Sequence, residues 1–157
     1  MTDKEEKALK SAEGYHDLGM IEDSWEELLS ISSRGRNAIP AMNMEAMLLI
    51  KESRWDEALE IAQNMCKRAP KQPGGYIHTA FCLHEMGKTQ DALDLLLNGP
   101  KALENEATYF YNLSCYRAQL SQIEEAESLL RKAIKMDSNL KKTAKEDPDL
   151  KEVWPLL

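Results

Sequence analysis

A single spacing dominates this chain: small residues return every 34 positions through most of its length. With the first position of the period set at Glu5, Ile39, Pro73 and Ala107, four copies align with no insertion, over 5–38, 39–72, 73–106 and 107–140. Position 8 reads Ala12, Ala46, Ala80, Ser114, and position 20 reads Ser24, Ala58, Ala92, Ala126. Position 15 reads Gly19, Ser53, Gly87, Ser121, and position 24 reads Leu28, Ala62, Leu96, Leu130. Between these markers apolar residues recur at helical spacing, as in Met42, Ala46, Leu49 before Ser53 and Ala58, Ile61, Ala62, Met65 after it. Each copy therefore reads as two helices, A and B, joined at position 15. Small side chains at positions 8 and 20 let A and B approach closely, and a larger one there overpacks the contact. One such pair cannot bury its apolar face alone, so the four must stack on one another.

The joint is made in two ways. Gly19 and Gly87 can take a positive φ after the first helix. Ser53 and Ser121 begin Ser-x-x-Asp/Glu boxes with Asp56 and Glu124, which can cap the second helix instead. Copy three is irregular: Asn98-Gly99-Pro100 should stop its helix B near Asn98, leaving Lys101 to Asn105 as an extra turn or loop. Beyond the repeats, residues 141–157 are expected to cap the last pair. A short helix is expected around Lys141 to Glu146, after which Asp147 and Pro148 restart the chain. Leu150, Val153, Trp154 and Leu157 then form an apolar stripe. Three roles are open to that stripe: a lid on the last repeat, a contact between two weakly associated copies of a chain otherwise monomeric, or a tail lying in its own groove.

The 34-residue period, with small residues at 8 and 20 and a turn at 15, resembles the tetratricopeptide repeat (TPR). The resemblance covers residues 5 to 140, and Pro70 matches the family's proline between repeats, while Arg36, Glu104 and Ser138 depart from it. It implies an all-α, right-handed superhelix: a single solenoid domain of four helix-turn-helix repeats with a C-terminal cap. In length and in its EDPDLKEVW ending the chain is similar to small stand-alone bacterial members. The resemblance also implies a non-enzymatic role in binding a protein or peptide. An alternative similar in size and acidity is a secretion chaperone that keeps an apolar client soluble, although those usually carry three repeats.

In the family, helix A lines the concave face through positions 2, 5, 6, 9, 12 and 13. Here those positions make a Met/Phe/Tyr/Ile strip dotted with Asn and His, and the partner-binding residues are expected to be Asn43, Met44, Met47, Ile77, His78, Phe81, Tyr111 and Asn112. Methionine adapts to irregular apolar partners, and aromatic anchors carry a large share of binding energy. The family's clamp for a terminal carboxylate needs Lys and Asn at positions 5 and 9 of one copy and further basic residues two copies on. Position 5 reads Leu9, Asn43, Ile77, Tyr111 and position 9 reads Glu13, Met47, Phe81, Cys115, so that clamp is not expected.

Composition narrows the remaining classes. The net charge of −7 argues against a general nucleic-acid or anionic-membrane surface, and Lys132, Lys135, Lys141, Lys142 and Lys145 are read as a solvated face. No apolar run approaches the roughly 20 residues of a membrane span. The opening MTDKEEK has no leader-like apolar core, so a cytoplasmic location is expected. Three cysteines at unhelpful spacings do not suggest a disulfide scaffold. No phosphate loop, GxSxG, HExxH or paired CxxC occurs, so no catalytic residue and no cofactor is assigned. The best metal candidate is His78 with Cys82, supplemented by His84 or Cys115, but these positions do not share one side, so no metal site is assigned either.

Overall fold

The computed structural model describes residues 1–157 and is built entirely of helices and turns. In chain order the α-helices are α1 (Asp3–Asp17), α2 (Ile21–Leu29), α3 (Ser33–Arg36), α4 (Ile39–Lys51), α5 (Trp55–Arg68), α6 (Gly74–Glu85), α7 (Thr89–Leu97), α8 (Ala107–Gln119), α9 (Ile123–Met136) and α10 (Leu140–Glu146). Helices α1 and α2, α4 and α5, α6 and α7, and α8 and α9 pack as four pairs, stacked into an α-α superhelix.

The small residues sit where the helices of a pair cross. Ala12, Ala46, Ala80, Ser114, Ser24, Ala58, Ala92 and Ala126 are all completely buried. The two serines in this set are related in a way the pattern does not announce. In the first pair Ser24 Oγ donates to the Ala12 carbonyl at 2.7 Å, and in the last pair Ser114 Oγ donates to the Ala126 carbonyl at 2.6 Å. A hydroxyl from position 20 in one, and from position 8 in the other, thus ties the two helices together without leaving a buried polar group unpaired.

All four joints share one backbone solution. Gly19 and Gly87 have φ of 75° and 82°, and Ser53 and Ser121 have φ of 57° and 62°. The N–H of Met20, Arg54, Lys88 and Gln122 donates across each turn to the carbonyl of Tyr15, Leu49, Leu83 and Arg117, at 2.8 or 2.9 Å. This is the six-to-one bond of a Schellman ending. The expected capping boxes at Ser53 and Ser121 do not form. Helices α5 and α9 begin at Trp55 and Ile123 with no side-chain cap, and the serines occupy the left-handed position that glycine takes elsewhere.

The irregular connections carry their own chemistry. Helix α7 ends at Leu97, and Lys101–Asn105 forms a 3-10 turn that buries Leu103 beneath the last pair. Between the first two pairs, Ser32 Oγ accepts from Gly35 N–H at 3.1 Å and starts the short α3. The same serine donates to Glu5 at 2.5 Å through its hydroxyl and 3.1 Å through its N–H, which holds the Glu5 carboxyl down at about 2. The start of α1, itself closed by a Thr2–Glu5 capping box, is thereby fastened to the link between repeats.

The C-terminal segment is not one capping helix. Pro148 removes a backbone donor and pushes Asp147 into an extended conformation, φ −83° and ψ 116°. The chain continues in two 3-10 turns, Pro148–Leu150 and Trp154–Leu156. Leu150 and Val153 are completely buried and, with Ala144, join the largest apolar cluster, built mainly from α8 and α9. These two residues of the stripe are buried within their own chain. Trp154 is half-buried, and Leu156 and Leu157 are exposed. No helix is long and apolar enough to cross a membrane.

A candidate partner-binding groove

Helices α1, α4, α6 and α8 touch one another in series, while α2, α5 and α7 each pack between two successive members of that row. The closer-spaced row is the inner wall of the superhelix. On this wall lies an open cleft of about 310 Å³, lined by His16, Met47, Ile50, Lys51, Ile77, His78, Phe81, Thr108 and Asn112. One side chain comes from α1, three from α4, three from α6 and two from α8. Met47, Ile50, Ile77 and Phe81 make its apolar floor, and all four are partly exposed. Phe81 also leans on Trp55 of α5, with ring centroids 6.0 Å apart.

Five of the eight expected residues therefore meet in one place: Met47, Ile77, His78, Phe81 and Asn112. Asn43 stands behind the cleft. Its Oδ1 lies 2.7 Å from His78 Nε2, and its Nδ2 donates to Met47 Sδ at 3.5 Å. The amide thus accepts from the Nε2–H of a neutral imidazole, which sets the ring's orientation. Burial pushes His78 down to about 4, so it stays uncharged at neutral pH and keeps Nδ1 as an acceptor. Asn112 is nearly buried, borders the cleft, and has no side-chain hydrogen bond within the chain.

Two expected residues are elsewhere. Met44 is 1% exposed and packs in the core of the first two pairs with Leu9, Leu28 and Ile31. Its position faces the neighbouring repeat because the first pair closes over that side of α4, so a partner cannot reach it. Tyr111 is covered by the chain's own tail: its hydroxyl donates to Asp147 Oδ2 at 2.6 Å, and burial with that bond pushes the phenol well above its ordinary value. Cys115, one turn along α8, lies 3.7 Å from the same carboxylate oxygen. His84 of α6 meets Asp149 at 2.8 Å. The tail therefore fills the C-terminal end of the inner wall, and the cleft is what remains open.

His16, Ile50, Lys51 and Thr108 also line the cleft. They occupy positions 12, 12, 13 and 2, which the sequence puts on the concave face, but none is among the eight expected binding residues. His78 and Cys82 are not neighbours in any site, since Cys82 is completely buried in the middle of the stack, where its thiol is pushed up to about 11.

This geometry defines the class: the chain has the tetratricopeptide-repeat fold. No family model matches the sequence, and no curated protein matches it. Solved structures do. TTC0263, a thermophilic TPR protein of Thermus thermophilus, superposes with a TM-score of 0.81 over 97% of this chain and 82% of its own, at 18% identity. PilF of Pseudomonas aeruginosa gives 0.74 over 98% and 69%, at 16% identity. PcrH of Pseudomonas aeruginosa, in complex with the chaperone-binding region of PopB, gives 0.56 over 80% and 94%, at 17% identity. At these identities the likeness is one of fold.

Proposed function

We propose that the chain is a non-enzymatic interaction module that holds an apolar segment of a partner protein in the cleft of its inner wall. One observation carries the reading: four partly exposed apolar side chains, Met47, Ile50, Ile77 and Phe81, converge from two helices onto a single concave floor. The polar groups at its edge suit a peptide. Neutral His78 offers an acceptor through Nδ1, and Asn112 offers both a donor and an acceptor. A segment with one or two apolar anchors, extended or helical, would fill the cleft while its backbone meets these groups. That PcrH, of the same fold, is known with a segment of PopB supports the choice of ligand class. A cytoplasmic location suits the acidic composition and the role.

The test is capture from the native host, using the wild-type chain and Phe81→Glu as parallel baits, with mass spectrometry of what is retained. One stoichiometric protein retained by the wild type and lost with Phe81→Glu supports the reading. Equal retention by two folded baits refutes it.

A further inference from the structure

We propose that the groove between α2 and α5, on the outer face of the superhelix, docks a basic, apolar segment of a partner protein, independently of the cleft on the inner wall. The groove encloses about 670 Å³. Its apolar part comes from three helices: Trp25 and Leu29 stand on α2, Ile61 on α5, and Leu49 of α4 lies at the base. Trp25 and Ile61 are partly buried and pack on Leu49, whereas Leu29 is 57% exposed. An aromatic side chain with an exposed leucine beside it leaves apolar area for a partner to cover.

Charge decides what that partner is. Four glutamates and one arginine border the groove. The arginine, Arg54, lies over the Trp25 ring, with its guanidinium carbon 5.7 Å from the centroid. It also meets Glu57 at 2.5 Å and Glu52 at 3.4 Å, and Glu52 accepts from the Trp25 Nε1–H at 2.6 Å. The groove thus already seats one guanidinium of its own, on a ring and between two carboxylates.

Glu45 and Glu60 are in no ion pair, so the same wall leaves two carboxylates for cations from outside. A lysine or arginine of the partner would meet them while a neighbouring apolar side chain lies on Leu29 and Ile61. The chain's net charge of −7 draws a basic segment toward this face and repels a nucleic acid.

A gap between neighbouring outer helices is a general product of stacking, and the next one along differs in chemistry. Between α5 and α7 a gap of about 640 Å³ carries Lys67 with Asp91 and Asp94, and its Tyr76 hydroxyl donates to the Pro70 carbonyl at 3.0 Å. Charge there is closer to balance, and the aromatic's polar end is already used. The α2–α5 groove adds a glutamate excess and an exposed leucine.

The experiment uses the full chain and three synthetic peptides, with calorimetry for affinity and amide-shift mapping for position. The first peptide sets arginine and leucine at helical spacing, the second replaces its leucines with serine, and the third replaces its arginines with glutamate. The first should bind one per chain, less tightly as salt rises, and shift the signals of Leu29, Glu60 and the Trp25 indole. Glu60→Lys and Leu29→Ser, both at exposed positions, should each weaken it about fivefold or more with helicity intact. Glu124→Lys makes the same charge change on α9, outside the groove, and should leave affinity within about twofold. Binding should be the same in Phe81→Glu as in the wild type. Absence of binding, preference for the glutamate peptide, or loss in Phe81→Glu overturns the proposal. So does equal binding of the serine peptide, or equal weakening by Glu60→Lys and Glu124→Lys, since either reduces the effect to general charge. Self-association of the chain without peptide, lost in Glu60→Lys by sedimentation, would make the occupant a second copy and overturn it too.

Discussion

Ser53 and Ser121 stand in the left-handed region, at φ of 57° and 62°, where an L-residue costs about 1–2 kcal/mol. Neither hydroxyl caps the following helix, so nothing local offsets that cost. Replacing either serine with glycine removes the strain and restores the residue found at the same turn in Gly19 and Gly87. Part of the gain is lost because glycine leaves the unfolded chain freer, by about 0.4–1 kcal/mol. Each substitution should therefore stabilise the fold by about 0.5–1 kcal/mol, and two sites two repeats apart should add. At this length a kcal/mol moves the melting temperature by about 2–4 °C. The control is alanine: it keeps the strain and removes the hydroxyl, so Ser53→Ala and Ser121→Ala should leave the midpoint nearly unchanged. Urea unfolding and calorimetric melting of the four single variants and the double glycine variant would measure this. If alanine costs about 1 kcal/mol and glycine gives no gain, the hydroxyls are helix caps after all, and the account of the joints is wrong.

Four other substitutions probe different parts of the molecule. Leu150→Ala, at a completely buried position beneath α8, should cost about 2–5 kcal/mol and speed proteolysis of the tail without changing sedimentation; a shift from dimer to monomer would show that the stripe joins two copies. Ser24→Ala and Ser114→Ala each remove a buried hydrogen bond between paired helices and should lower stability by about 0.5–1.5 kcal/mol, read by urea unfolding. His78 is held at about 4 when folded, against an ordinary 6.5, so the unfolded chain takes up its proton first. Its contribution is fully present above pH 6.5 and is lost as pH falls from there through about 4, at no more than about 1.4 kcal/mol per pH unit. Melting from about pH 7 to 4 should show a shallower loss in His78→Gln than in the wild type.

The repeat architecture was legible because it rests on volume. Eight small residues at two fixed positions mark where helices cross, and all eight are completely buried. The stop at Asn98 and the turn at Lys101–Asn105 were legible too, since Gly99-Pro100 leaves the backbone little choice. The serine turns were misread because a Ser-x-x-Glu string carries no record of φ, and the Schellman bond across the turn is made by the backbone alone. Met44 was misread for a different reason. Its position lines the groove in the middle of a stack, but here the first pair folds over it, and that depends on the tilt between repeats rather than on local sequence. The tail was hardest of all. Asp147 read only as the point where the chain restarts, and the meeting of Asp147 and Asp149 with Tyr111, Cys115 and His84 spans more than thirty residues of chain.

The central claim is that the inner-wall cleft binds a protein segment through its apolar floor. Calorimetric binding of that segment to the wild type and to Phe81→Glu, with thermal melting of both, tests it most directly. Phe81 is half-buried against Trp55, so the charge should lower the melting temperature modestly while leaving the chain folded. Affinity for the segment should vanish in the variant, and in the wild type it should persist at raised salt, because apolar burial is screened far less than a charge pair. Undiminished binding by a folded Phe81→Glu would contradict the claim and place the partner on another face.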